Sequence, residues 1–190
     1  MKIAAILLAA GSSVRFGGDK LAAVIDGESM LGLSASALAA SGFEERVAVV
    51  SKGTKIHEPR LRELGFDVAL NAEADEGMSS SIRAGVGWAQ SRGANAVLIA
   101  LADMPYVSAT HLLRLSRKFD CCTSGLAYSV SAGRRAPPAI FSQNWFDRLR
   151  ALEGDAGARA FLVAASASDG VEAPYGMLDD IDSQQDLARS

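Results

Sequence analysis

The chain begins with an unbroken apolar run, Ile3 to Leu8, which leads without a spacer into Ala-Ala-Gly-Ser-Ser-Val-Arg-Phe-Gly-Gly-Asp-Lys at residues 9–20. A strand that is apolar at every position has no solvent face, so its sheet must be covered on both sides, as parallel sheets are. Similar runs return at Arg46–Val50, Phe66–Leu70 and Ala96–Leu101, with helix-like stretches between them. This alternation predicts an α/β architecture, a mostly parallel mixed sheet between helical layers. Helices are expected from an N-cap at Ser29 to about Ala40, over Pro59–Leu64, from about Ser80 to Arg92 with Gly93 behind it, and from Ser108 to about Lys118. Thr123–Phe141 reads as strand-rich and irregular. Gln143–Leu152 and Gly157–Ala165 read as helical, and a last helix is expected near Ser183. No linker, repeat or low-complexity stretch divides the sequence, so residues 1–190 are expected to form one domain.

Charge and cysteine content narrow the function classes. A net charge of −3 argues against general nucleic-acid or membrane-surface binding, so any anion site must be a local concentration of positive charge. No apolar run has the length of a membrane span, and the first apolar segment ends in a glycine-rich loop, which reads as a strand rather than a signal peptide. Cys121 and Cys122 are adjacent, which suits at best a strained disulfide, and with only His57 and His111 elsewhere no zinc spacing exists. A reducing cytoplasm is the expected compartment.

The loop at residues 9–20 is the first candidate site. Gly11, Gly17 and Gly18 add no Cβ bulk, so backbone N–H groups there can approach an anion closely. Arg15 and Lys20 add two positive charges suited to clamping the same polyphosphate. Neither of two well-known phosphate loops fits: Lys20 is followed by Leu21 rather than Ser or Thr, and Gly11 is followed by Ser12-Ser13 rather than x-Gly.

Three further stretches carry chemistry. In Asn71–Gly85, Gly77 permits a tight approach, and Ser79, Ser80 and Ser81 stand where a helix begins, either as a cap or as ligand contacts. In Leu98-Ile-Ala-Leu-Ala-Asp-Met-Pro, Asp103 follows a buried strand, where α/β sheets place ligands; it suits a Mg²⁺ ligand or an Asp turn before Pro105. In Leu178-Asp-Asp-Ile-Asp-Ser-Gln-Gln-Asp-Leu, Ser183 and Asp186 suit a capping box at a helix start.

Taken in order, these motifs resemble the signature of nucleotidyltransferases that activate phosphates and sugars with an NTP, Leu-x-Ala-Gly-x-Ser-x-Arg-x-Gly-x-x-Lys. Within that superfamily the chain is most similar to the molybdenum-cofactor cytidylyltransferases, the MobA/MocA-like family, over Leu7 to Leu187. Glu-Gly-Met-Ser-Ser-Ser-Ile-Arg-Ala-Gly at 76–85, Ala102-Asp-Met-Pro, and Gly154-Asp-Ala-Gly-Ala-Arg match further family elements. The resemblance implies a three-layer αβα Rossmann-like, GT-A-like fold. It also implies that Arg15 and Lys20 hold the triphosphate. Leu8, Ala9, Ala10, Gly11, Gly77, Ser79, Ser80 and Ser81 would contact the nucleotide, and Asp103 would hold Mg²⁺ with Asp182, or less favourably Asp180, as second ligand. The implied reaction transfers CMP from CTP to the terminal phosphate of molybdopterin, with a molybdenum hydroxylase as eventual recipient. GTP, a sugar phosphate acceptor and a non-catalytic accessory protein are the alternatives, and the joint presence of Arg15, Lys20 and Asp103 argues against the last.

Two departures from the family pattern stand out. Gln184 replaces a usual proline, and Ala136-Pro137-Pro138 stands where many relatives have Gly-His-Pro, in a region facing the acceptor. Arg134, Arg135 and Arg159 are candidate contacts for an anionic acceptor. Ala10, where the guanylyl branch more often has glycine, places a Cβ beneath the base and favours a pyrimidine. A phosphate monoester with a second pKa near ~6 is largely a dianion at neutral pH. Such an acceptor attacks without a general base, which leaves His111 as a surface or core residue.

Overall fold

The computed structural model describes residues 1–11 and 16–187. In chain order the elements are β1 (Ile3–Ala9), β2 (Val24–Ile25), β3 (Glu28–Ser29), α1 (Met30–Ala40), β4 (Glu45–Val50), α2 (Glu58–Glu63), β5 (Asp67–Leu70), α3 (Met78–Ser91) and β6 (Ala96–Leu101). They continue with α4 (Ala109–Asp120), β7 (Leu126–Ser131), β8 (Arg134–Ser142), α5 (Phe146–Arg150), α6 (Arg159–Val163), β9 (Gly170–Glu172) and α7 (Gln184–Leu187). The main sheet runs β5-β4-β1-β6-β8-β7-β9. β1 lies parallel to β4 and β6, and β4 parallel to β5; β8 runs antiparallel to β6 and β7, and β9 returns parallel to β7. This is the mostly parallel mixed sheet expected of a Rossmann-like, GT-A-like α/β fold.

The unbroken hydrophobic strands are explained by which face each residue meets. Ala5, Leu7 and Ala9 of β1 join one core with Leu31 and Leu38 of α1, Leu61 of α2 and Leu112 and Leu115 of α4. Ala4, Ile6 and Leu8 point the other way, into a second core with Ile82 and Val86 of α3, Leu149 of α5 and Leu162 of α6. A period of two residues divides one apolar run between two helical layers. The parallel strands β5, β4, β1 and β6 therefore all end on the same edge, which collects the segments that follow them.

Local signals account for most boundaries. Ser29 caps α1 by accepting from the Gly32 N–H at 3.0 Å, and Ser108 caps α4 by accepting from the His111 N–H at 3.2 Å. α3 starts at Met78 rather than Ser80, because Gly77, at φ 97° and ψ −176°, turns the chain into the helix two residues earlier. Two elements were not anticipated. The β2–β3 hairpin turns through Asp26 and Gly27, both at positive φ, the Asp-Gly pairing that favours such turns. β9 is three residues long and gains its strand character from pairing with β7.

α3 packs closely over β1. A Cβ placed on Gly85 would lie 2.5 Å from Ile6 Cγ2, whose residue is fully buried, whereas one on Gly87 would meet nothing within 4 Å. Replacing Gly85 with alanine is expected to lower the unfolding free energy by about 1–2 kcal/mol, because overpacking outweighs the gain in helix propensity. The Gly87→Ala control should instead be neutral or stabilising by about 0.5–1 kcal/mol. Urea midpoints for the two variants check both signs.

Candidate active site

The carboxyl edge of the sheet holds three charged side chains from distant parts of the chain. Lys20 follows the glycine-rich loop, in a single 3-10 turn (Lys20–Ala22) whose N-cap, Asp19, accepts from the Leu21 N–H at 3.1 Å. Leu21 is buried against the α1 layer, which turns the Lys20 stem inward. The other Asp19 oxygen, Oδ2, lies 2.8 Å from His57 Nε2 without the alignment of a hydrogen bond.

Asp103 sits just past β6 in a turn held by three long-range hydrogen bonds to its backbone. The Ala102 N–H donates to the Leu8 carbonyl at 3.1 Å, the Ala102 carbonyl accepts from Ser34 Oγ at 3.0 Å, and the Asp103 carbonyl accepts from the Ile181 N–H at 3.0 Å. The last of these bonds also brings in the third charge. Leu178 and Ile181 are buried in the core, and the segment between and after them delivers Asp182 to the edge while Asp180 stays exposed.

These three groups meet at one nitrogen. Lys20 Nζ donates to Asp103 Oδ2 at 2.8 Å and to Asp182 Oδ1 at 3.0 Å. The lysine side chain is only 10% exposed, so its charge depends on those carboxylates. Burial works against the charged form, but Asp103 and then Asp182 outweigh it and hold the ammonium above the usual lysine range. Asp103 Oδ1 is buried and has no hydrogen-bond partner among the described residues.

Around this centre, Ala10 is buried and Gly11 exposed just beyond β1. Among the described residues a Cβ on Gly11, Gly17 or Gly18 would meet nothing within 4 Å; at Gly17, φ of +77° favours glycine. Arg15 lies outside the described residues.

The serine turn is built differently from a set of free hydroxyls. Ser79, Ser80 and Ser81 are all buried. The Asn71 amide donates to Ser80 Oγ at 2.8 Å and to Ser81 Oγ at 3.0 Å, and Ser80 Oγ donates to the Gly77 carbonyl at 2.8 Å. Ser80 is thus occupied in holding the turn, while Ser79 Oγ has no hydrogen-bond partner among the described residues. The Gly154–Gly157 loop docks on this helix start: the Ser79 N–H donates to the Gly154 carbonyl at 3.1 Å, and a Cβ on Gly77 would lie 2.5 Å from that residue's backbone. The two glycine motifs, distant in sequence, form one structure. A groove of about 550 Å³ between α3 and α5 shares Asn71 and Ser80 with the turn but includes neither Asp103 nor Asp182.

β8 brings Ala136-Pro137-Pro138 toward the same edge, since its antiparallel pairing sets Ala139 opposite Ile99 of β6. The prolines have no N–H, and the β6–β8 pairing ends at Ala139.

A model of the MobA-like NTP transferase domain matches residues 5–169. The chain belongs to that family. It is accordingly a nucleotidyltransferase. Among curated relatives, the purine catabolism protein PucB of Bacillus subtilis is 33% identical over 95% of this chain and 92% of its own length. The nicotine blue oxidoreductase of Paenarthrobacter nicotinovorans is 29% identical over 84% of this chain and 81% of its own. Among solved structures, Rv0371c of Mycobacterium tuberculosis H37Rv superposes with a TM-score of 0.83 at 22% identity, covering 100% of this chain and 97% of that one. A manganese complex of the same mycobacterial protein superposes with a TM-score of 0.75 at 20% identity, with the same coverage. These structures establish the shared fold.

Set against this family frame, the sequence expectations divide clearly. Lys20, Asp103 and Asp182 come together, while Ser183 and Asp186 also form their capping box, with the Ser183 N–H donating to Asp186 Oδ2 at 2.9 Å. The metal and cap readings of that segment are therefore compatible. Arg135 is withdrawn from the acceptor candidates: its guanidinium donates to the carbonyls of Leu162, Val163 and Ala165 and lies over the Tyr128 ring. Arg134 and Arg159 are exposed. Asn71 and His57 went unrecognised. An asparagine at a strand end four residues before Asp-Glu-Gly carries no motif, and the approach of His57 to Asp19 spans a gap that no local pattern reveals.

His111 is a core residue. It is 1% exposed, and its Nε2 lies 2.9 Å from Ser129 Oγ, which itself donates to the Pro138 carbonyl at 2.7 Å. Since the serine proton is taken, the imidazole donates through Nε2 and is neutral. Burial, helped by the nearby Arg114 charge, pushes its pKa down to about 4. Between that value and the unfolded value near ~6.5 the unfolded chain binds the extra proton, so this residue's contribution to stability falls as pH falls. From pH 7 to pH 5 the loss should be about 2 kcal/mol for the native chain and absent from the His111→Gln variant. Denaturant titrations of both at the two pH values check this, and parallel slopes would contradict it.

Proposed function

We propose that the chain transfers CMP from CTP to the terminal phosphate of molybdopterin and releases pyrophosphate. The observation that carries this reading is the single ammonium of Lys20 held between Asp103 and Asp182 at the strand ends, close in the chain to Gly17 and Gly18, where a Cβ would meet nothing within 4 Å among the described residues. A paired cation and two carboxylates at a sheet edge suit phosphate charge rather than proton abstraction. The two-carboxylate donor set, with Asp103 Oδ1 buried and without a hydrogen-bond partner among the described residues, fits Mg²⁺, which takes one or two protein carboxylates and completes its shell with substrate phosphates and water. Magnesium held by Asp103 and Asp182 would neutralise phosphate charge and help orient the attack.

The chain's own residues do the rest. Lys20, and Arg15 with it, hold the β- and γ-phosphates and then the departing pyrophosphate. Backbone beyond β1 at Ala9, Ala10 and Gly11 faces the base, since the Leu8 carbonyl is already bonded to Ala102. Gly77 and Ser79–Ser81 close the other side of the nucleotide, and the Ala10 Cβ favours cytosine over a purine. The acceptor phosphate is a dianion at neutral pH and attacks the α-phosphorus in line, which agrees with His111 being buried with its Nε2 engaged by Ser129. The name of the Bacillus relative directs the search for a recipient to molybdenum hydroxylases of purine catabolism. Residues 1–190 act as one domain in this scheme, in the cytoplasm.

Pyrophosphate release measured with each NTP, Mg²⁺ and molybdopterin tests the reading. CTP should give the fastest release; a preference for GTP overturns the base assignment, and turnover with a sugar phosphate alone overturns the acceptor. The Asp103→Asn variant should fold and lose roughly two orders of magnitude or more in kcat. The Gly11→Ala variant separates ligand from fold: its Tm should be unchanged or slightly raised, while KM for the nucleotide rises several-fold.

A further inference from the structure

We infer that Lys20 is the residue that controls access of the divalent cation, holding the two carboxylates as a resident counter-ion until a polyphosphate draws it away. This rests on the assignment of Asp103 and Asp182 as cation ligands. Lys20 Nζ is within 3.0 Å of one oxygen from each carboxylate, and its side chain is 10% exposed. A divalent ion cannot sit between those oxygens while the ammonium does: the positions coincide, and two cations at contact distance repel. Two carboxylates brought to one nitrogen also repel each other, and the ammonium offsets that repulsion. The ammonium therefore keeps the empty centre assembled, and it leaves only when another anion takes it.

The lysine stem supplies the means. Four methylene groups carry the charge from a fixed turn, and that turn is anchored independently of the carboxylates by Asp19, which accepts from the Leu21 N–H, and by the buried Leu21 side chain. The ammonium can thus move from the carboxylates to a phosphate chain on the glycine loop without unmaking the turn that bears it. Polyphosphate and cation become positively coupled through one side chain, and by reciprocity each raises the affinity for the other. Bare cation binds poorly, because its apparent affinity is reduced by the small fraction of molecules in which Lys20 is elsewhere.

Mn²⁺ binding to the nucleotide-free protein, followed by the electron paramagnetic resonance of the free ion, tests this directly. Lys20→Met should bind Mn²⁺ about tenfold tighter or more than the native chain, and Mn²⁺ should raise its Tm by more than it raises that of the native chain. Lys20→Gln is measured in parallel, because it keeps a donor if the methionine variant folds poorly. Lys55→Met removes a nearby charge that does not touch the carboxylates and should leave Mn²⁺ affinity unchanged. Adding Asp103→Asn to Lys20→Met should abolish the gain. Equal or weaker Mn²⁺ binding in both Lys20 variants overturns the inference, as does an equal gain in Lys55→Met or a gain that survives Asp103→Asn. None of these results depends on turnover, so failure of the cytidylyl reading would show separately, as no pyrophosphate released from any NTP.

Discussion

One ammonium shared between two carboxylates is the contact on which the rest of the site depends. Its members lie 83 and 162 residues apart along the chain, and each arrives by a different route: a turn after β1, the end of β6, and the segment before α7. Desolvating such a group is unfavourable unless all its partners are in place. The surrounding polar contacts serve that end. Leu8, Ser34 and Ile181 hold the Ala102–Asp103 turn, Asp19 and Leu21 hold the lysine turn, and Leu178 and Ile181 anchor the Asp182 segment in the core.

The sheet explains why these routes converge. Parallel strands covered on both faces end along a common edge, and an open α/β sheet offers its binding crevice there. β8 runs against its neighbours, so its middle approaches the edge from the other side and brings Ala136–Pro138 toward Asp103. The start of α3 and the Gly154 loop form a second wall, which exists because Gly77 and Gly157 leave room for the two backbones and Met78 to pack. An anion site in a chain of net charge −3 is thus a local construction, built from one edge of one sheet.

Much of this was readable in the sequence because the strongest signals are local. Buried strands appear as unbroken apolar runs, Ser29 and Ser108 mark helix starts, and β6 falls on the expected residues, Ala96–Leu101. Lys20, Asp103 and Asp182 were legible as candidates through motif order. What stayed hidden is long-range. The engagement of Ser80 by Asn71, the diversion of Arg135 to the carbonyls at the end of α6, and the His57–Asp19 pair depend on which backbones meet, which no spacing encodes. β9 was missed for the same reason, since three residues gain strand character only from a partner. The β2–β3 hairpin was different: Asp26-Gly27 carried a local turn signal that went unused.

A crystal structure with CTP and Mn²⁺ decides whether a nucleoside triphosphate reacts at the Lys20–Asp103–Asp182 centre. The triphosphate should lie on the glycine loop, the metal on Asp103 and Asp182, and Lys20 Nζ should have moved from the carboxylates to phosphate oxygens. A nucleotide seated in the groove between α3 and α5, with Lys20 still bonded to Asp103 and Asp182, would contradict it.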